Sequence, residues 1–186
     1  MTIHRGKVVM LLLLSALCTA AFGQKIQIGY DRGVDFSKFT SYTLAEPTTP
    51  PTRPLLYASI VGSIDHQLTS KGLANTNDGD LIVIPTGGVD FGLNTAAGTP
   101  IISTYRGSPP TIDASMWVGA TGFSNLMAPY VPEGTLILSF VDRRADKVIW
   151  TGTVKEKLDI KKKRKSLELV HKAIAKLLEH FPPKKK

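Results

Sequence analysis

Between Thr135 and Val154 the chain reads TLILSFV, then DRRADK, then VIWTGTV. The first run is apolar at every position but two and too short for a helix, so it reads as a strand buried on both faces. The middle run is turn chemistry, and the last returns with Thr151 and Thr153 expected outward. A β-hairpin at the centre of a sheet is therefore the first commitment. It excludes an all-helical fold.

Other segments follow the same two periodicities. Ile26, Ile28 and Tyr30 alternate along 24–30, which predicts a strand. In DFSKFTSYTL (35–44), Asp35 and Ser37 suit a turn and Thr40–Leu44 a second strand. The proline-rich EPTTPPTRP (46–54) predicts a stiff connection. From Leu55 to Lys71, Tyr57, Ile60, Val61, Ile64 and Leu68 trace one helical stripe, and Gly72 suits its left-handed end. Asn75, Asn77, Asp78 and Gly79 mark a turn before a short strand at Leu81–Ile84. A second helix, capped by Ser166, presents Leu167, Val170, Ile174, Leu177, Leu178 and Phe181 until Pro182-Pro183 stops it. The expected architecture is α+β: a two-layer sandwich, its sheet mainly antiparallel, with two amphipathic helices on one face.

Length and charge bound the organisation. With 186 residues the chain suggests one folded domain. Its formal net charge is +8, which invites a nucleic-acid reading until the charge is divided along the chain. Residues 24–154 hold 9 basic against 11 acidic side chains, whereas 155–186 hold 12 against 4. The body is slightly acidic, so no nucleic-acid partner is expected. The basicity belongs to one segment.

Residues 1–23 read MTIHRGKVVMLLLLSALCTAAFG. Basic Arg5 and Lys7 precede an apolar run from Val8 to Leu17, and Ala21-Phe22-Gly23 offers a cleavage site before Gln24. This is the pattern of a signal peptide, and it predicts export to the periplasm or outer membrane. The run is shorter than the roughly 20 residues that span a bilayer, so no transmembrane helix is expected in the mature chain. Cys18 follows Leu17, where a lipid-attachment motif wants a small residue, so cleavage after Gly23 is preferred to lipidation. The mature domain is then 24–183, with 184–186 a basic tail. One cysteine in all excludes a disulfide scaffold.

Three segments together resemble a bacterial envelope family, domain of unknown function 4136. They are DFSKFTSYTL; the helix end LTSKGL (68–73) with DGDLIVI (78–84); and EGTLILSFVDRRADKVIWTGTVKEKL (133–158) with a terminal helix closing on FPP (181–183). The resemblance implies a secreted or lipid-anchored α+β envelope protein. It supplies no catalytic or binding residues.

Chemistry-bearing constellations are weak. Asp65 and His66 point about 100° apart on a helix, and His171 and His180 fall on opposite faces. These histidines read as solvated, and no metal or cofactor is expected. DGD (78–80) lacks the calcium-loop register, TGGVDFG (86–92) lacks a phosphate-binding pattern, and no G-x-S-x-G occurs. Trp150 and Phe140 are expected to pair across the hairpin. Lys161, Lys162, Lys163, Arg164 and Lys165, placed in the loop before the last helix because five cations oppose a helix amino end, are the candidate contact with an anionic envelope surface. The leading function is a non-enzymatic structural, assembly or binding module, its partner that surface or another envelope protein. The alternative is a small periplasmic hydrolase or ligand-binding enzyme using the Gly-rich segment 85–130 with Tyr105, Trp117, Phe123 and Tyr130.

Overall fold

The computed structural model describes residues 25–47, 50–88, 110–119, 124, 126–128, 131, 134–156, 158 and 162–183. In chain order the elements are β1 (Lys25–Asp31), a single 3-10 turn (Phe36–Lys38), β2 (Ser41–Leu44), α1 (Pro54–Ser70) and β3 (Ala74–Asn75). There follow β4 (Leu81–Gly87), β5 (Trp117–Val118), β6 (Thr135–Asp142), β7 (Lys147–Lys155) and α2 (Lys163–Leu178). The predicted signal segment 1–23, most of 85–130, Lys161 and the tail 184–186 lie outside the described residues.

The strands form one seven-stranded sheet in the order β3-β2-β4-β6-β7-β1-β5. The hairpin is its middle, and all of β6 from Thr135 to Val141 is buried. The class is α+β as expected, but the sheet is mixed and not mainly antiparallel. β2 runs parallel to both β3 and β4, while the other pairings are antiparallel. The reason is topological. Helix α1 carries the chain back between β2 and β4, and such a crossover returns a strand in the same direction. β1 finds its partner 120 residues on, with Ile28 opposite Gly152 and Tyr30 opposite Trp150.

The helices follow their local chemistry with one exception. Pro54 opens α1, where its fixed φ suits the first turn, so the proline-rich connection ends inside a helix. At the other end the Gly72 and Leu73 N–H groups donate to the Thr69 and Leu68 carbonyls, with Gly72 at φ 89°. That is the left-handed stop the sequence predicts. Helix α2 starts at Lys163, inside the basic run, and Ser166 is buried in its first turn. The expectation of a Ser166 cap and a purely loop-borne basic run is corrected. Apolar burial outweighs the macrodipole here: Val170, Ala173, Ile174, Leu177 and Leu178 are all fully buried.

One large core joins both helices to the sheet. Ile60, Ile64 and Leu68 of α1 and the buried stripe of α2 meet Tyr42, Val83, Leu138, Phe140 and Trp150. Phe140 and Trp150 pair across the hairpin, edge to face with centroids 5.0 Å apart, as expected. A register shift between Phe140 and Val141 adds a residue to β7 opposite them. Alternation puts Ile84, Val141 and Val148 on the other face, in a second cluster with Leu126. Thr151 and Thr153, expected outward, are 0% and 1% exposed. Their face is covered as well, and alternation alone does not reveal a cover.

Candidate functional site

One network of polar side chains lies at the end of the sheet where β2, β4 and the hairpin turn meet. Gly79 lets β4 approach β2: a Cβ there would collide with the Tyr42 backbone. Behind it, Asp80 Oδ2 accepts from the Thr40 N–H at 2.9 Å and the Ser41 N–H at 3.1 Å. It also accepts from both hydroxyls, at 3.1 and 2.9 Å. Those bonds, the Thr40 N–H foremost, hold its carboxyl below the usual carboxylate range. The DGD turn is thus a turn, as read, with one carboxylate stitching two parallel strands.

Arg143 of the hairpin turn reaches the same place. Its Nε donates to the Gly79 carbonyl at 2.7 Å and one Nη to Thr43 Oγ1 at 2.7 Å. A groove of about 480 Å³ runs beside this network, lined among others by Lys38, Asp78, Asp80, Arg143 and Arg144. A second, of about 830 Å³, lies across Gly33–Asp35 and is bounded by Tyr30, Arg32, Val118 and Pro183. Beneath it, Asp31, 1% exposed, pairs with Lys147 at 2.5 Å and accepts the Gly33 N–H at 2.7 Å. The Asp31 bond raises the Lys147 ammonium above its ordinary range. Sequence patterns flag neither pair, because the partners lie 116 and 64 positions apart.

His171 is exposed on its helix, as read, and has serine partners as well. It bridges the helices: Nε2 meets Ser59 Oγ at 3.2 Å and Nδ1 meets Ser63 Oγ. A hydrolytic triad needs one ring nitrogen on a carboxylate, and here hydroxyls hold both. His180 instead meets the Lys176 carbonyl at 3.0 Å, and His66 is exposed on α1. Among the described residues no three His, Cys, Asp or Glu side chains group as a metal site would require.

The predicted basic contact is divided by the start of α2. Lys162 precedes the helix and Lys163 begins it. Lys162, Arg164 and Lys165 are exposed, and Arg164 Nε makes one i,i+4 ion pair with Glu168 at 3.4 Å. The helix thus brings Arg164 and Lys165 onto one exposed turn. Of the aromatic residues proposed for the middle segment, Trp117 is described: it lies in β5 opposite Asp31. Tyr105, Phe123 and Tyr130 fall outside the described residues.

A family model described as Domain of unknown function (DUF4136) matches residues 26–183, which takes in every described element from Ile26 onward. The chain belongs to that family. No curated protein matches it. Among solved structures, a PDZ domain protein from Parabacteroides distasonis is 17% identical, with a TM-score of 0.47. The alignment covers 88% of this DUF4136 chain and 37% of that one, so the chain spans little more than a third of its neighbour's length. The PelC dodecamer from Paraburkholderia phytofirmans is 9% identical with a TM-score of 0.44, covering 88% of this chain and all of that one. Among the described residues no helix is long and apolar enough to cross a membrane.

Proposed function

We propose that this DUF4136 protein is exported and works in the periplasm or at the outer membrane as a non-enzymatic structural, assembly or binding module. One observation carries the reading: residues 1–23 combine a basic start, a ten-residue apolar run and a small-residue cleavage site. The first strand begins at Lys25 and the family match at residue 26, just beyond the predicted cleavage. The reading takes the fold as a two-layer sandwich, supported by the one core that joins both helices to the Phe140 and Trp150 face.

Within this reading Lys161, Lys162, Lys163, Arg164 and Lys165 meet an anionic envelope surface or an acidic partner. Cations at a helix amino end repel its macrodipole, and a bound anion relieves that repulsion. Each basic residue near an anionic membrane contributes about 1 kcal/mol, less as salt rises. Replacing residues 161–165 with Ser and Gln should release the exported protein from membrane fractions into the soluble periplasm. Unchanged fractionation removes the contact.

A further inference from the structure

The sheet face turned away from the helices carries a row of buried polar atoms with no hydrogen-bond partner among the described residues. Gly29, Thr151, Ser139 and Ile84 stand directly opposite one another on β1, β7, β6 and β4. Residues paired in this way project from the same face. Thr151 is 0% exposed and Ser139 1%. Neither hydroxyl has a hydrogen-bond partner among the described residues. The indole of Trp117 lies over Gly29, where a Cβ would collide with its Nε1, and that buried nitrogen is also unpartnered.

Three buried polar atoms in one row are not an accident that folding tolerates cheaply. Each unsatisfied group costs about 1–3 kcal/mol, and buried polar groups are ordinarily paired with protein or ordered water. Neighbouring strands stand about 4.8 Å apart, so side chains in successive strands are spaced to share a bridging molecule of water's size. The chemistry is complementary: indole N–H only donates, and each hydroxyl both donates and accepts. Apolar neighbours Ile84, Leu126 and Val148 close the same face, and the charges beside Trp117, Asp31 and Lys147, neutralise each other in an ion pair.

We infer that the Trp117–Thr151–Ser139 row is an internal binding site for small neutral hydrogen-bonding molecules, water above all. Such a molecule accepts from Trp117 Nε1 and donates to Thr151 Oγ1, and a second links Thr151 to Ser139. Larger ligands are excluded by the burial of both hydroxyls. The site is independent of export and of the basic run.

The sign of a conservative substitution tests it. In the full chain, Thr151→Val keeps the shape and removes the hydroxyl, and Ser139→Ala does the same on β6. With bridging molecules present, each variant should lower the folding equilibrium constant about five- to tenfold in denaturant titrations. Oxygen-17 relaxation dispersion should at the same time lose a long-lived internal water. A folding constant unchanged or raised overturns the inference, because removing a dry, unpaired hydroxyl is neutral or stabilising. A lowered constant with the same number of long-lived waters also overturns it. Trp117→Phe provides a second arm at the far end of the row, with the same two readouts.

Discussion

Phe181 stacks on Phe140 with ring centroids 4.1 Å apart and planes 23° from parallel, joining the residue just beyond α2 to the central strand β6. Trp150 and Phe36 meet the same ring edge-on, at 5.5 and 6.0 Å. Three rings, from the 3-10 turn and the two strands of the hairpin, therefore converge on one side chain. The two prolines after Phe181 end the helix, and the ring fixes where it ends.

Phe181→Ala should accordingly cost about 3–5 kcal/mol, the range for emptying a buried aromatic site. Phe181→Leu, which keeps most of the volume, should cost less than half as much. Urea titration of both variants checks the order. Equal, small losses would mean the cluster is peripheral to the core.

The Asp80 clamp predicts an acid-side dependence. Its native carboxyl titrates below the usual range, so its contribution is fully present above the unfolded value and fades as pH falls through the native one. Asp80→Asn should destabilise by about 1 kcal/mol at neutral pH, a modest figure because the group is exposed. The gap between variant and wild type should close in strongly acidic solution. Stability curves against pH for the two proteins measure it.

Lys147 and Tyr42 predict the alkaline side. The Asp31 bond raises the Lys147 ammonium, and burial, with Asp65 beside it, raises the Tyr42 phenol well above its ordinary range. Both contributions are present below the unfolded values and are lost as pH climbs through the native ones. Wild-type stability should fall in strongly alkaline solution. Lys147→Met strands Asp31 and should cost about 3 kcal/mol at neutral pH, the low end for breaking a buried pair. Adding Asp31→Asn should recover part of that loss, and thermal melts of the single and double variants test it.

What the sequence discloses, and what it hides, divides by distance along the chain. The hairpin, the α1 stripe and the Gly72 stop are local signals, and each is visible in a window of a few residues. So is the Phe140–Trp150 pair, because a hairpin fixes its own register. Strand partnership is not local. Nothing in Ile26–Tyr30 announces β7 as its neighbour, and nothing in Thr40–Leu44 announces a parallel partner beyond α1. Thr151 and Thr153 mislead for a related reason: a polar residue in alternation looks the same under a cover as under water. The basic run misleads through a competition of magnitudes, since burial of the α2 stripe carries the helix back to Lys163 against its own charge. The Asp80, Arg143 and His171 contacts each join separate elements, so only the assembled fold displays them.

Export is the central claim, and the amino terminus of the chain recovered from the envelope tests it most directly. Intact-mass and terminal-peptide mass spectrometry of the full-length gene product should find a chain beginning at Gln24, with no lipid attached. A chain that keeps Met1 and fractionates with the cytoplasm would contradict export. A diacylglyceryl group on Cys18 would contradict cleavage after Gly23.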